Sequence, residues 1–243
     1  MSRSVTRVTA WGAALVAASA LLALGGCALS RLHTGRTLAA QAQPLQAQPA
    51  HPQRRLLVVG DSTAVGTGAS GPAQSLPGLI SSDHPDWAIQ NLAVNGARFA
   101  DVVHQLASAD GGQDLVLILA GGNDVIQLTS EQTLHDNVEQ AVALARQRGH
   151  AVVLMPCGNV GHAPFFLPPV SWLMNRRSVR LHAVVAGVAQ RTGSRYVRLL
   201  QPRQSDPFAL QPERMNAADG LHPSDDGYRQ WYAQLQAQGG LAP

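Results

Sequence analysis

The chain has 243 residues, of which 45% are hydrophobic and 14% charged, a composition that supports one substantial core and excludes a disordered chain. Its formal net charge is only +3, its basic residues are mostly scattered arginines, and it contains no lysine. Nucleic-acid binding is therefore disfavoured, and sites that need a lysine, such as a P-loop or a Ser–Lys dyad, are excluded.

The N-terminus predicts an export signal. Two arginines precede an uncharged apolar run from Trp11 to Leu24, which is typical of a signal peptide and short for a membrane span. The run ends in Leu24-Gly25-Gly26-Cys27, which resembles a bacterial lipobox, so residues 1–27 are interpreted as a signal peptide and Cys27 as the lipidated residue. This predicts an exported, membrane-anchored lipoprotein of the bacterial periplasm or cell envelope. The alternatives are an ordinary signal peptide and an uncleaved signal anchor that extends to Leu29.

The segment that follows is predicted to be a linker. Residues 28–53 become rich in Ala, Gln and Pro, show no helical or strand periodicity, and contain prolines that oppose regular structure. The folded domain is expected to cover residues 54–243. Cys27 and Cys157 lie on opposite sides of the predicted cleavage site, so a disulfide between them is not expected. Cys157 follows an apolar run and is predicted to be a small buried residue rather than a reactive thiol.

Within the domain, short apolar runs alternate with longer segments of helical spacing. The runs are nearly continuous in hydrophobicity, which is typical of strands covered on both faces. The predicted strands are Arg55–Gly60, Ala88–Val94, Leu115–Ala120, Ala151–Pro156 and Tyr196–Leu200. The predicted helices are Ala100–Ala109, Ser130–Gln147, Val179–Arg191 and a last helix from about Ser224. This alternation favours an α/β fold with a parallel sheet, in which reactive groups gather beyond the carboxyl ends of the strands.

Three of the predicted strands end in residues that could carry chemistry. The first leads into Gly60-Asp61-Ser62, which places a candidate nucleophile at the carboxyl edge of the sheet. The second is followed by Gly96, whose backbone N–H can approach a substrate closely. The third is followed by Asn123, whose amide can point at a developing oxyanion. A turn or a helix cap is the alternative explanation at each of these positions.

The strongest local pattern is Asp219-Gly220-Leu221-His222-Pro223 near the C-terminus. A carboxylate three residues before a histidine can fix the imidazole tautomer, which leaves the other ring nitrogen free to accept a serine proton. A capping aspartate beside a surface histidine is the alternative. Together with Ser62, however, the pair completes the set of groups that acyl transfer requires.

In this order the residues resemble the SGNH (GDSL-like) hydrolases, which carry a GDS serine, a glycine, a GxND asparagine and a DxxH pair. Here these positions are Ser62, Gly96, Asn123, and Asp219 with His222, and the resemblance extends from Arg55 to Gln236. It implies a flavodoxin-like three-layer α/β/α fold with a mostly parallel five-stranded sheet. It also implies hydrolysis of carboxylic ester bonds through an acyl-enzyme, with an oxyanion hole formed by the backbone N–H groups of Ser62 and Gly96 and the Asn123 side chain. Thr63 departs from the pattern, which has Leu at this position.

A nucleotide-binding alternative comes from residues 66–71, which satisfy G-x-G-x-x-G. In a dinucleotide fold the first glycine forms the tight turn directly after the strand, whereas here Asp61 to Val65 intervene, and Pro72 follows the last glycine. The glycines are therefore interpreted as a flexible loop beside the active site. We expect no cofactor and no metal.

The segment after the fourth predicted strand is apolar and contains three prolines, which oppose a continuous helix. Its residues Phe165, Phe166 and Leu167 are predicted to line a substrate pocket or to touch the membrane, and covering the sheet is the alternative. The expected substrate is a small or lipid-like ester. An acyltransferase, a carbohydrate O-acetyl esterase and a non-catalytic lipid-anchored binding protein are the alternative functions, and the oligomeric state is left open.

Overall fold

The computed structural model describes Gly26 and residues 29–242. Its core is one five-stranded sheet in the order β2-β1-β3-β4-β5, and every neighbouring pair of strands is parallel. The strands are β1 (Arg54–Gly60), β2 (Trp87–Asn91), β3 (Gln113–Leu119), β4 (Gly149–Leu154) and β5 (Arg195–Tyr196). The predicted α/β class and five-stranded parallel sheet are therefore confirmed.

Ten helices accompany the sheet in the described part of the chain. They are α1 (residues 29–41), α2 (Ser62–Val65), α3 (Leu76–Asp83), α4 (Phe99–Ser108), α5 (Gly122–Ile126), α6 (Glu131–Arg148), α7 (Val170–Thr192), α8 (Pro207–Leu210), α9 (Pro212–Met215) and α10 (Asp225–Ala237). Short 3-10 turns occur at Pro72–Gln74 and Val160–His162. None of the helices in this part of the chain is long and apolar enough to cross a bilayer.

The sheet is covered on both faces. Helices α4, α6 and α7 pack against one another in sequence, and α3 packs against α10. Because parallel crossovers are right-handed and the chain reverses direction after β2, α3 lies on one face and α4, α6 and α7 lie on the other. The central strands are accordingly buried throughout, with side chains such as Leu57, Val58 and Leu117 fully inaccessible. This is the three-layer arrangement that the resemblance implied.

The strand order also fixes where a ligand can bind. From β1 the chain moves to β2 on one side, and from β3 it moves to β4 on the other. A crevice therefore opens at the carboxyl ends of β1 and β3, the topological switch point of such sheets. Gly60 pairs with Leu119 across these two strands, so the residues that follow each strand meet at this crevice.

The segment before β1 differs from the predicted extended linker. Residues 29–41 form helix α1, and the chain after it lies along the sheet edge, where Ala47 exchanges backbone hydrogen bonds of 3.0 and 2.8 Å with Ile89. The Gln46 side chain closes a second pair of bonds with the backbone of Asn91. The prolines that follow residue 41 oppose continuation of α1, but tertiary contacts hold the rest of the segment against the domain. The predicted signal peptide and Cys27 lie outside the described residues.

Helix α7 begins nine residues before the prediction, at Val170 rather than Val179. The prolines precede it: Pro169 occupies the N-cap position, where a missing N–H costs no helical hydrogen bond. The other predicted helices agree with the structure to within a residue or two, and Ser224 caps α10 through a hydrogen bond to the N–H of Gly227.

Candidate active site

Ser62 lies where β1 turns into α2. Gly60 adopts a φ of +150°, and a Cβ there would lie 1.9 Å from the Leu119 carbonyl oxygen, so only glycine allows the chain to pass β3 this closely. Asp61 then caps α2 by accepting hydrogen bonds from the Thr63 N–H (2.9 Å) and the Thr63 hydroxyl (2.6 Å). Ser62 is thereby fixed as the first helical residue at the crevice, with 8% of its surface exposed.

Ser62, His222 and Asp219 form one hydrogen-bonded chain. His222 Nε2 lies 2.9 Å from Ser62 Oγ, and His222 Nδ1 lies 2.5 Å from Asp219 Oδ2. With the Nδ1 proton donated to the carboxylate, Nε2 is the acceptor for the serine hydroxyl proton. The three residues that the sequence singled out are therefore brought together across 160 positions of the chain, in the order that proton transfer requires.

The Asp219 carboxylate is held in its charged form. Burial by itself would raise its pKa, since the side chain is only 1% exposed. The hydrogen bond and charge of His222, together with the N–H groups of Leu221 and His222, outweigh burial and leave the pKa of Asp219 below its ordinary value. An ionised carboxylate beside Nδ1 can orient the imidazole and stabilise its protonated state.

The two predicted oxyanion donors lie on the same edge of the sheet. Asn123 belongs to α5 and shares a cavity with Ser62 and His222, and one of its amide hydrogens is donated to the Ala97 carbonyl at 3.0 Å. Its second amide hydrogen is left for another acceptor. Gly96 follows β2 with a φ of +83°, and a Cβ there would meet nothing within 4 Å. Its left-handed conformation explains the glycine, and Gly96 borders a separate cavity with Val94, Ala97 and His104 rather than the cavity at Ser62.

The glycine-rich loop after α2 contributes packing. Gly66 caps the C-terminus of α2 in the left-handed conformation. A Cβ on Gly68 would lie 2.4 Å from the Pro223 carbonyl oxygen and 2.9 Å from the Cβ of His222, so this glycine lets the loop press against the triad histidine. Because α2 lies between β1 and this loop, the first glycine does not form the tight turn after the strand that a dinucleotide fold requires, which argues against the nucleotide-binding alternative.

A narrow cavity of about 80 Å³ opens at Ser62. Apolar side chains from five separate parts of the chain form much of its wall: Ile126, Val160, Phe208, Leu221 and Trp231. Sequence patterns did not reveal these residues, because no local motif connects them. Cys157 also lines the cavity; it is buried as predicted, and burial raises the pKa of its thiol well above the ordinary value.

The predicted substrate-pocket residues Phe165, Phe166 and Leu167 do not line the Ser62 cavity. Phe166 and Leu167 border a larger and more polar cavity of about 810 Å³, which shares Asn159 and Ala163 with the first. The backbone N–H of Phe165 donates to the Gly220 carbonyl at 2.9 Å, so this loop is joined directly to the loop that carries the triad acid and base. The structure therefore places the three residues beside the site but outside its innermost wall.

Helix α1 covers the far side of the triad. A Cβ on Gly35 would lie only 3.2 Å from Asp219 Oδ2, the oxygen that binds His222. One turn earlier, the Arg31 guanidinium donates to the Pro164 carbonyl oxygen. One turn later, the Ala39 carbonyl accepts from the Asn95 side chain at 2.9 Å. The helix thus touches three loops of the site, and no local motif in the sequence indicates these contacts.

A second histidine–aspartate pair lies behind the cavity wall. His162 Nδ1 and Asp206 Oδ2 are 2.6 Å apart, and both side chains are 5% exposed. His162 Nε2 is 3.3 Å from the Asn159 amide nitrogen, which in turn donates to Asn175 at 2.6 Å. Neither histidine nitrogen is paired with a serine hydroxyl, so this pair ties the loop after β4 to α7 and α8 as a structural element.

The fold and the site together define a flavodoxin-like α/β protein with a hydrogen-bonded Ser–His–Asp arrangement at its switch point. Residues 58–230 match the model of the GDSL-like Lipase/Acylhydrolase family, so the chain belongs to this family, as the sequence motifs predicted. The description of this family is one of lipases and acylhydrolases.

The chain is similar to the GDSL-like esterase Rv1075c of Mycobacterium tuberculosis (strain ATCC 25618 / H37Rv), with 28% identity over 185 residues. The match covers 71% of this chain and 57% of the relative, so the chain spans little more than half the length of that protein.

Solved structures show the same fold. TesA superposes with a TM-score of 0.60 and 24% identity over 76% of this chain and 98% of that one. The lipase/acylhydrolase from Enterococcus faecalis superposes with a TM-score of 0.59 and 21% identity, over 77% of this chain and 97% of that one. The acetylxylan esterase Axe2 from Geobacillus stearothermophilus superposes with a TM-score of 0.56 and 19% identity, over 79% of this chain and 97% of that one.

Proposed function

We propose that this protein is a serine ester hydrolase that cleaves carboxylic esters through an acyl-enzyme. The observation that carries the proposal is the continuous chain from Ser62 Oγ through His222 to Asp219, with links of 2.9 and 2.5 Å. No binding role requires a serine hydroxyl aligned with a carboxylate-oriented imidazole at the mouth of a cavity, whereas nucleophilic catalysis requires all three.

The mechanism follows from the geometry. Ser62 Oγ attacks the ester carbonyl carbon while His222 Nε2 accepts its proton, and Asp219 stabilises the imidazolium that forms. When the tetrahedral intermediate collapses, the bond to the alcohol oxygen breaks and His222 returns the proton to that oxygen. A water molecule then attacks the acyl-enzyme with His222 again as base, which releases the carboxylic acid and restores the Ser62 hydroxyl.

The developing oxyanion is assigned to the backbone N–H groups of Ser62 and Gly96 and to the free amide hydrogen of Asn123. Asn123 lines the cavity at Ser62, whereas Gly96 borders a neighbouring cavity on the same edge of the sheet. Loss of one such donor typically lowers turnover by about 100- to 1,000-fold. Asn123→Ala is therefore expected to lower kcat by that factor with a smaller change in KM, since the interaction forms in the transition state.

The cavity at Ser62 favours a short acyl group. Its volume of about 80 Å³ holds roughly five water-sized groups, and its side chains are largely apolar. Small acyl esters are therefore the substrates that we propose, with lipid-like esters next. A carbohydrate O-acetyl esterase is the second candidate, because an acetyl group fits this volume and the polar 810 Å³ cavity adjoins it. Transfer of the acyl group to an alcohol acceptor uses the same acyl-enzyme.

The N-terminal sequence carries a further proposal on location. The apolar run Trp11–Leu24 and the lipobox-like Cys27 support export and anchoring as an envelope lipoprotein. Labelling of the expressed protein with a radioactive fatty acid tests this proposal. Label that disappears in Cys27→Ser supports lipidation, and label absent from both proteins contradicts it.

The decisive experiment is hydrolysis of a p-nitrophenyl ester series from acetate to laurate by the protein and by Ser62→Ala. We expect the highest kcat/KM on short chains and a loss on the order of 10⁴-fold or more in the variant. A fluorophosphonate probe should label the protein but not the variant. Hydrolysis that persists in Ser62→Ala would refute the proposed nucleophile. Absence of both labelling and hydrolysis would favour the non-catalytic binding protein.

A further inference from the structure

Large apolar side chains are exposed together beside the active site. In the seven residues from Leu167 to Leu173, the exposed fractions are 54% for Leu167, 47% for Val170, 65% for Trp172 and 46% for Leu173. Single exposed apolar residues are common on soluble proteins, but four of this size within two turns of chain form a patch. The segment follows β4, so the patch lies on the same edge of the sheet as Ser62.

The start of α1 extends this patch. Leu29 is 70% exposed and Leu32 is 45% exposed, and their spacing of three residues places them on one face of the helix. Arg31 lies between them and donates to the carbonyl oxygen of Pro164, three residues before Leu167. This bond brings the start of α1 next to the loop that leads into the segment from Leu167 to Leu173. We call this surface the apolar rim; it consists of Leu29, Leu32, Leu167, Val170, Trp172 and Leu173.

The position of the N-terminal apolar run identifies what covers the rim. The run ends at Leu24, five residues before Leu29, and Cys27 is two residues before it. At no more than about 3.5 Å per residue, the end of the run lies within about 18 Å of the rim. A membrane that holds either the run or a lipid on Cys27 therefore lies within reach of the rim.

The charges around the rim match a bilayer surface. Helix α7 contains no acidic residue, and its second and third turns carry Arg176, Arg177 and Arg180. Arg177 donates to the Thr129 carbonyl oxygen and Arg180 pairs with Glu131 at 2.9 Å, whereas Arg176 is exposed with no such bond. Helices that lie in a lipid headgroup region typically carry Trp and Leu at the edge of an apolar face, followed by arginines.

We propose that the apolar rim docks on a phospholipid bilayer and holds the mouth of the active site at the membrane surface. The proposal rests on the proposed membrane anchoring. The rim loop is bonded to the triad loop through Phe165 and Gly220, so docking places Ser62 where esters that partition into the bilayer arrive. It gives the anchored enzyme one fixed orientation instead of a domain that moves freely on a tether.

Tryptophan quenching tests the contact directly. The full chain is reconstituted into vesicles of phosphatidylethanolamine and phosphatidylglycerol, with and without phosphatidylcholine brominated in the acyl chain just below the headgroup. The difference in emission between the protein and Trp172→Phe reports Trp172, because the other three tryptophans, Trp11, Trp87 and Trp231, are present in both proteins and cancel. The matched control introduces Val179→Trp into Trp172→Phe, at an exposed position on the same helix about 10 Å further along.

We expect brominated lipid to quench at least about half of the Trp172 emission and clearly less of the emission at position 179. A vesicle-bound protein whose Trp172 emission is unchanged by bromine would overturn docking while leaving the anchor intact. So would a blue shift of Trp172 without quenching, since a protein surface would then cover the rim. Equal quenching at both positions would overturn the proposed orientation, and a chain that does not float with vesicles would overturn both anchoring and docking.

A second measurement separates docking from catalysis. Trp172→Glu combined with Leu173→Glu should lower hydrolysis of a vesicle-embedded acetate ester of a long-chain alcohol by about tenfold, because two exposed apolar contacts with lipid are lost. Hydrolysis of soluble p-nitrophenyl acetate should stay within about twofold of the unmodified protein. Equal losses on both substrates would contradict docking. Absence of hydrolysis of either ester by the unmodified protein would refute the proposed function, while the quenching result would still decide the membrane contact.

Discussion

Gly35 in α1 offers a sharp test of how the catalytic aspartate is held. A glycine in the middle of a helix costs about 0.5 to 1 kcal/mol relative to alanine, so Gly35→Ala should stabilise α1 if the helix were all that mattered. The added methyl carbon, however, would lie 3.2 Å from Asp219 Oδ2, closer than nearly all real contacts of a Cβ. Either α1 or the carboxylate must shift by a few tenths of an ångström.

The expected loss of kcat follows from the role of Asp219 Oδ2. Asp219 Oδ2 accepts the 2.5 Å hydrogen bond that orients His222, and a misplacement of about 1 Å in a catalytic group can cost about 100-fold. A shift of a few tenths of an ångström should therefore lower kcat by roughly three- to tenfold, with KM little changed. Because helix propensity offsets part of the strain, we expect the melting temperature to change by no more than about 3 °C.

The assay is kcat for p-nitrophenyl acetate across pH together with thermal unfolding. Gly187→Ala is the matched control: it also lies within a helix, its Cβ would come no closer than 3.5 Å to Arg191, and it is remote from the triad loops. This control should gain stability and keep its kcat. If Gly35→Ala retains the full kcat at every pH, α1 does not constrain Asp219 and the reasoning is wrong.

Three further outcomes are expected. Thr63→Val removes the hydroxyl that donates a hydrogen bond to Asp61, a buried carboxyl whose pKa is raised by burial. The free energy of unfolding, measured by urea titration, should fall by about 1–3 kcal/mol. An unchanged urea midpoint would contradict this prediction. The pKa of Asp219 is depressed in the folded state, so its charged form stabilises the fold above the ordinary carboxyl pKa, and this stabilisation is lost as the pH falls through the folded-state pKa. The difference in melting temperature between the protein and Asp219→Asn should therefore shrink below about pH 4. A difference that stays constant with pH would argue against this effect. Phe208→Ala enlarges the Ser62 cavity and should raise the preference for hexanoate over acetate esters by about tenfold, whereas a uniform loss on all chain lengths would show that Phe208 does not bound the acyl site.

The parts of the site that sequence predicted are those that local motifs encode. Ser62 follows an apolar strand through a glycine that only a close backbone approach explains, and Asp219 precedes His222 by the three residues that let both carboxylate oxygens bind the loop. Strand alternation then places these motifs on one sheet edge. For the same reason β1, β3 and β4, the helices α4 and α6 and the start of α10 were predicted to within two residues. The predicted strands Ala88–Val94 and Tyr196–Leu200 were too long, since β2 ends at Asn91 and β5 at Tyr196.

The parts that sequence missed depend on tertiary contacts. The cavity wall combines Ile126, Phe208 and Trp231, which lie in different helices and share no spacing. The start of α7 was hidden by prolines that precede the helix rather than interrupt it. Helix α1 was missed because residues 29–41 form a short segment that contains a glycine and two threonines and adjoins the Ala/Gln/Pro-rich stretch, so no local signal separates it from a linker. Its contacts are with distant loops.

The contacts of α1 also decide where the catalytic unit begins. The family match starts at residue 58, and a chain that starts at Arg54 would keep the entire sheet and triad. Such a chain would, however, expose the Asp219–His222 hydrogen bond to water on the side that Gly35 covers. The Asn95 side chain, which holds the Gly96 loop, would lose its bond to Ala39 and keep only its 2.7 Å bond to Thr67. Water beside a charged hydrogen bond weakens its hold on the imidazole.

A chain from residue 54 should therefore have a kcat about tenfold lower than a chain from residue 29, and a lower melting temperature, because the contacts of Ala47 and Leu45 with the core are lost as well. A third chain that begins at residue 42 separates the two effects, since it keeps the strand-like contacts but lacks α1. It should recover most of the melting temperature and little of the kcat. If all three chains have the same kcat, α1 serves only to connect the domain to its N-terminal segment, and the triad is complete without it.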